Sequence, residues 1–491
     1  MTESSKNFID GEWVTSEAGE TLDVTNPANP REVVATYQQS NENDAASAVD
    51  AAVAAKDEWR NTPGPERGRI LREAGTILGQ RKDELTDMLI AEEGKARPEA
   101  AGEVQRSIDI FHYFSVKASD LGGTIKGPSG QNTNLYTRQE PVGVAALISP
   151  WNYPIAIPAW KLAPALAAGN TVVMKPASVA PGLVIELARA LEEAGLPDRV
   201  LNVVTGPGST VGSEFINNDG TDLVSFTGSS QVGEMVYEQA TDAGKRVQTE
   251  LGGKNPTFVA QSADPAEAAN IVATGGFGTT GQSCTACSRA IVHEDVYDDF
   301  VAELVDRAES IDIGPGSDHE MGPQVSESEL NSTLEYIEIA ANEGASLAAG
   351  GGTPKGDHVE TGYFVEPTVF TDVDPEMRIA QEEVFGPVIS VIKVSDFEEG
   401  LEIANGVDYG LSASIVTDDH TEANRFVDEV ESGVVKVNSD TPLRVAGQKT
   451  TGLELHVPFG GFKRSSSETW REQGDAGLSF YTIEKTVYDS Y

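Results

Sequence analysis

The amino-acid sequence predicts an α/β protein built on two parallel sheets, and three observations carry that expectation. Short apolar runs alternate with helix-periodic segments along most of the chain. Runs such as GVAALIS, TVVMK and VISVIKV are apolar throughout, as strands covered by helices on both faces are. Several runs end in glycine or small polar residues, the composition of strand-to-helix turns at a ligand crevice.

Residues 8–39 read as short strands and turns: FIDGEW, a TNPANP turn, then VVATY. From Asn43 to Trp59, residues Ala45, Ala48, Val49, Ala52 and Val53 follow helical spacing. A longer helix is expected from about Pro65 to Glu93, burying Ile70, Leu71, Ala74, Ile77, Leu78, Leu85, Met88 and Leu89, and another over 99–117. The glycine-rich break at 122–130 precedes NLYTRQEP, so 120–140 is expected as a hairpin apart from the main sheet. From Val142 onward, strands GVAALIS, TVVMK, VLNVV, DLVSF and KRVQTEL alternate with helices near 159–168, 183–194, 209–217 and 230–243. Residues 253–455 repeat the pattern with TFVA, AIVHE, YFVEPTVF, VISVIKV, SASIVT and GVVKVN. The helices expected there span 265–275, 297–310, 326–343, 397–405 and 420–431. The tail LSFYTIEKTVYDSY alternates apolar and polar residues and reads as an edge strand needing a partner, for which the hairpin of another subunit is a candidate.

Charge excludes some functions. The chain has 78 acidic and 35 basic residues, a net charge of −43, which repels nucleic acid. The acids are dispersed over an ordinary globular pattern, which is expected of a protein kept soluble in high salt, a halophile's. No apolar run reaches membrane-spanning length, the N-terminus has no secretory pattern, and 2 cysteines cannot make a disulfide framework. The expectation is a soluble cytoplasmic protein.

The chemistry centres on residues 275–289, GGFGTTGQSCTACSR. Gly275, Gly276, Gly278 and Gly281 remove bulk ahead of Cys284, whose thiol could act as a nucleophile given a base or a lowered pKa. A small buried hydrophobe and a CxxC redox pair with Cys287 are the competing readings. With no second CxxC and no His cluster, no metal site is expected. In SPWNYP, Trp151 and Asn152 follow a strand, and an Asn amide can donate to an oxyanion; an Asn–Pro turn is the bland alternative. Lys175 ends an apolar strand, where a phosphate or ribose would partner its charge. SFTGSSQVGE, with Gly228 and Ser229, and the turn Gly206-Pro-Gly208 place free N–H groups at helix starts. Glu250 beside Gly252 and Gly253 is a general-base candidate, as is Glu383. His293 and His456 are read as structural.

Together and in this order, SPWNYP, WKLAPALAAGNTVVMKPA, SFTGSSQVG, ELGGKNP, GQSCTACSR, EEVFGPV and PFGGFKRS resemble the aldehyde dehydrogenase superfamily over almost the whole chain. The resemblance implies a Rossmann-type cofactor domain (1–119 and 141–251), a second α/β catalytic domain (252–455), and oligomerisation segments (120–140 and 470–491) that make dimers or tetramers. It implies that Cys284 attacks the aldehyde, that the Asn152 amide and Cys284 N–H hold the oxyanion, and that Glu250 activates the hydrolytic water. Trp151, Lys175, Gly208, Gly228, Ser229, Glu383 and Phe385 would bind a nicotinamide cofactor. Many NAD-preferring relatives have Glu where this chain has Ser178, which leaves room for a 2′-phosphate and points to NADP, with NAD possible. The stretch HVPFGGFKRSSSETWREQG is similar to the branch that oxidises 2,5-dioxopentanoate, an anionic aldehyde. Arg444 would meet the substrate carboxylate and Phe459 would line the substrate site, while Arg289 is read as structural. Succinate semialdehyde, glyceraldehyde and betaine aldehyde are the alternative substrates; a thiol esterase or acyltransferase is the alternative of another class.

Overall fold

The computed structural model describes residues 4–439, 454–467 and 470–491, with the backbone of 444–445 and 448–449. Strands Val144–Ile148, Thr171–Lys175, Leu201–Val203, Leu223–Thr227 and Arg246–Glu250 run parallel in a seven-stranded sheet. The antiparallel pair Asn7–Ile9 and Glu12–Val14 extends its edge through the Phe8–Val203 pairing. The chain winds from Val144–Ile148 through Thr171–Lys175 to Leu201–Val203, then returns to the other side of Val144–Ile148 as Leu223–Thr227. That reversal makes the gap between Val144–Ile148 and Leu223–Thr227 the switch point, where a crevice opens at the strands' carboxyl ends.

The two-residue period of a strand explains why these runs are apolar throughout. Val144, Ala146 and Ile148 pack on helix Glu42–Asn61, while Ala145 and Leu147 face helices Gly64–Gln80 and Ala156–Ala168. A second seven-stranded sheet follows the order Ser346–Ala349, Thr368–Thr371, Val388–Val394, Cys287–His293, Asn255–Val259, Ser412–Val416, Val434–Val437. All of its strands are parallel except Ser346–Ala349 at the edge. One face packs on helices Pro265–Phe277 and Glu294–Glu309; helices Phe397–Asn405 and His420–Glu429 pack on the other.

Three expectations are corrected. The helix expected from Pro65 to Glu93 is two, Gly64–Gln80 and Lys82–Glu93, broken at Arg81 (φ −101°, ψ 13°) within the polar run Gln80–Asp83. The helix expected from 159 begins at Ala156, because Pro158 in a first turn costs no hydrogen bond. The tail strand Thr482–Ser490 finds its partner in the same chain: it pairs antiparallel with Thr133–Pro141 over its whole length, with Ile125–Lys126 beyond. Just before it, Leu478, Phe480 and Tyr481 join the core of the first sheet. Among the described residues, no helix is long and apolar enough to cross a membrane.

Candidate active site

Cys284 lies in the loop that leads into strand Cys287–His293. The turn before it is strained: Thr279 and Thr280 take φ of 53° and 57°, rare for β-branched residues. Fixed partners hold it there. Thr279 N–H donates to Glu99 Oε1 (2.9 Å), Thr280 Oγ1 donates to the Gly322 carbonyl (3.0 Å), and the Thr280 carbonyl accepts from Gln324 Nε2 (3.2 Å). Gly281 (φ +70°) must be glycine, since a Cβ would meet the Gly386 carbonyl oxygen at 2.1 Å. The other glycines serve differently: Gly275 and Gly276 belong to helix Pro265–Phe277, and a Cβ on Gly276 would strike Ile389 at 2.6 Å. Beyond the turn, Asn255 Nδ2 donates to the Cys284 and Ala286 carbonyls (2.8 and 2.9 Å).

Asn152 sits between strand Val144–Ile148 and helix Ala156–Ala168. Its Nδ2 donates to the Gln282 carbonyl at 3.1 Å, which ties it to the cysteine loop. A buried ion pair holds the backbone beneath. Lys95 Nζ donates to the Asn152 carbonyl (2.8 Å) and pairs with Glu103, whose Oε1 accepts from the Ile155 and Ala156 N–H groups (both 3.1 Å). Glu103 thereby caps a helix whose own N-terminal residue offers no side-chain cap.

A cleft of about 180 Å³ opens at the switch point. Trp151, Asn152 and Ile157 line it from one strand end, Thr227, Gly228 and Ser229 from the next, and Leu251 and Gly252 from the third. Cys284, Glu329, Glu383 and Phe385 close it from the side of the second sheet. Trp151 and Phe385 meet edge-to-face at 5.4 Å. Burial, then the charges of Glu383, Glu250 and Glu472, push the Cys284 thiol well up, so it rests neutral. Burial likewise raises the Glu383 carboxyl to about 7 despite the N–H of Gly253 at 2.9 Å and the charge of Lys254. Lys254 itself is pushed down to about 7 by burial and then by Arg289.

Glu250 ends strand Arg246–Glu250 but does not line this cleft. Its carboxyl is buried behind it near Gly460, where a Cβ would come within 2.7 Å of Oε1. Burial and then Glu472 raise its pKa; Lys161 and Arg471 oppose them. Lys161 is paired with Glu472 and donates to Ser225 Oγ (2.8 Å).

Lys175, Ser178 and Gly208 gather at a neighbouring strand end. A Cβ on Gly208 would lie 3.9 Å from Lys175 Cε, Lys175 Nζ donates to the Pro176 carbonyl (2.6 Å), and Ser178 Oγ donates to the Gly206 carbonyl (3.1 Å). Burial pushes Lys175 down to about 8. Ser229 precedes helix Ser230–Asp242 without capping it, leaving first-turn N–H groups for an anion. Close packing by the protein itself keeps two of these positions glycine: a Cβ on Gly252 would lie 2.1 Å from Glu383, and one on Gly228 would lie 2.6 Å from the Phe226 ring.

Phe459 is buried against Trp160 (5.7 Å) and exchanges backbone hydrogen bonds with Glu472, away from the cleft lining. The Arg444 side chain lies outside the described residues. Arg289 is structural, donating to the carbonyls of Lys254, Ile403 and Ala404 at 2.9–3.0 Å. His293 Nδ1 caps a helix and His456 is exposed beside Glu454. Both cysteines are free, and Cys287 is packed into the second core. Among the described residues no group of acids, histidines and cysteines could hold a metal. Sequence reasoning missed Glu329, whose helix start gave no chemical signal, and Lys95 with Glu103, which meet only through the fold.

The model of the aldehyde dehydrogenase family matches residues 13–487. The chain is 85% identical, over all of both chains, to an alpha-ketoglutarate semialdehyde dehydrogenase from Haloferax volcanii. It is 44% identical over 98% of each chain to a 2,5-dioxopentanoate dehydrogenase from Saccharolobus solfataricus. Its fold superposes with a TM-score of 0.94, at 35% identity, on betaine aldehyde dehydrogenase from Staphylococcus aureus in complex with NAD+, covering 99% of this chain and 94% of that one. With a thiol and an amide facing one cleft at the switch point of a parallel sheet, and a family match over nearly its full length, the chain belongs to the aldehyde dehydrogenase family.

Proposed function

We propose that this enzyme oxidises 2,5-dioxopentanoate to 2-oxoglutarate with NADP as its preferred acceptor, NAD being usable. The observation that carries the chemistry is that Cys284 and Asn152 line a single cleft. Sγ adds to the aldehyde carbon as its proton passes to solvent, and the adduct is a thiohemiacetal oxyanion on Cys284. The oxygen's developing charge is held by the Asn152 amide and the Cys284 N–H. A nicotinamide bound in the cleft supplies the acceptor for the hydride that leaves this carbon. The carbon is then a thioester of Cys284. Glu250, swung from its buried seat past Gly460, takes a proton from water, which attacks the thioester; the carboxylate departs and the thiol is restored. Burial and the charge of Glu472 raise the Glu250 pKa, which makes its carboxylate the stronger base.

The substrate rests on the identities to the two semialdehyde dehydrogenases. NADP preference rests on Ser178, a hydroxyl where an acid would repel a 2′-phosphate. Residues 1–119 and 141–251 form the cofactor domain and 252–455 the catalytic domain. The open edge of the three-stranded sheet that joins Thr482–Ser490 to the hairpin supports association into dimers or tetramers. The net charge of −43 supports a halophile's cytoplasmic protein. Initial rates for dioxopentanoate, succinate semialdehyde, glyceraldehyde and betaine aldehyde with each cofactor, in molar KCl, test the reading. Dioxopentanoate with NADP should give the highest kcat/KM; a higher value for another aldehyde overturns the substrate, and one for NAD overturns the cofactor.

A further inference from the structure

Three side chains behind the cleft bury donors that have no acceptor. Arg106 is 7% exposed, Trp160 is 6% and Gln473 is 1%. Arg106 Nε, Trp160 Nε1 and Gln473 Nε2 are all without a hydrogen-bond partner among the described residues. Buried donors are almost always paired, so several left open in one place need an explanation.

Two of the three touch, and the third connects to them through Phe459. Arg106 donates a guanidinium N–H to Gln473 Oε1 (2.8 Å), which fixes the amide so that Nε2 remains free. Gln473 follows Glu472, whose backbone is paired to Phe459, and Phe459 packs on Trp160. Trp160 lies one helical turn beyond Ile157, which lines the cleft with Cys284. Arg106 likewise stands one turn beyond Glu103, the acid that holds the backbone next to Asn152. Gln473 takes φ +63°, a conformation that a side chain adopts only when its surroundings enforce it. Asp109 and Glu454 reach Arg106 through their fields, yet burial outweighs them and lowers its pKa to about 10. Glu472, next to Gln473 in the chain, is paired with Lys161 instead.

We propose that Arg106 and Gln473 form the seat for the carboxylate of the aldehyde substrate. A carboxylate accepts from a guanidinium and an amide together, and it would satisfy the open donors of Arg106 and Gln473. The assignment deepens the proposed function and depends on it, since it requires an aldehyde that carries a carboxylate at its far end.

The test compares kcat/KM for 2,5-dioxopentanoate and for pentanal, a neutral aldehyde, in the wild type, Arg106→Gln, Arg106→Lys and Gln473→Glu. The ratio of the two constants should fall at least tenfold in Arg106→Gln and in Gln473→Glu, with part of it restored in Arg106→Lys. A ratio that survives Arg106→Gln, or a loss shared equally by both aldehydes, overturns the assignment. Far-UV circular dichroism checks folding, and if Arg106→Gln fails to fold, the ratio in Gln473→Glu decides. A wild type that oxidises pentanal as well as dioxopentanoate would overturn the substrate reading itself, a result separate from any variant's.

Discussion

Gly252 and Glu383 share one space: a Cβ on Gly252 would lie 2.1 Å from Glu383 Oε2, while the next N–H, that of Gly253, donates to Glu383 Oε1 at 2.9 Å. The carboxylate from the second sheet is therefore set by a missing side chain on the first. Gly252→Ala should displace Glu383 at a cost of about 1–3 kcal/mol, as overpacking does. The expected result is a rise in KM for the nicotinamide cofactor of about tenfold or more. A crystal structure of the variant with Glu383 unmoved would refute the link.

Asn152 donates to the Gln282 carbonyl with an amide that the proposed mechanism also aims at the oxyanion. Asn152→Ala should lower kcat by about 10²–10³, the loss expected for one such donor. The rate at which iodoacetamide alkylates Cys284 should hardly change, because alkylation builds no oxyanion. Steady-state rates set beside alkylation rates check the separation.

The Cys284 thiol is raised by burial first and by Glu383 next. A raised pKa keeps the thiol neutral at pH 7, so its alkylation should be slow there and climb as the pH rises beyond the ordinary thiol range. The Glu383 carboxyl, raised to about 7, gains its repulsive charge as the pH passes upward through that value. Glu383→Gln removes that charge, so the alkylation profile should shift toward lower pH. Superimposable profiles for wild type and variant would rule out this source of the shift.

Ser178 donates to the Gly206 carbonyl beside Lys175. Placing an acid there, Ser178→Glu, should cut kcat/KM for NADP about tenfold, ~1.4 kcal/mol, while sparing NAD. An unchanged NADP-to-NAD ratio would show that the position does not read the 2′-phosphate.

Much of this was legible in the sequence. Trp151, Asn152, Gly228 and Ser229 directly follow apolar strands, so local pattern alone put them at carboxyl ends, where the fold brings them together. The seat of Glu250 was not legible, because Gly460, Arg471, Glu472 and Lys161 come from distant segments and meet only on folding. The same holds for Lys95 and Glu103, whose pairing crosses between helices, and for the open donors of Arg106 and Gln473, which stand 367 positions apart. The break at Arg81 was hidden because helical periodicity continues on both sides of it.

Lys95 and Glu103 are fully sheltered from solvent, as are Lys161 and, nearly, Glu472. At molar ionic strength the Debye length shrinks to about 3 Å, which silences most charges on the outer surface of so acidic a chain. Mobile ions cannot enter the space between these enclosed partners. Salt should therefore govern whether the polypeptide holds together, while turnover of the intact molecule stays nearly level as KCl is raised.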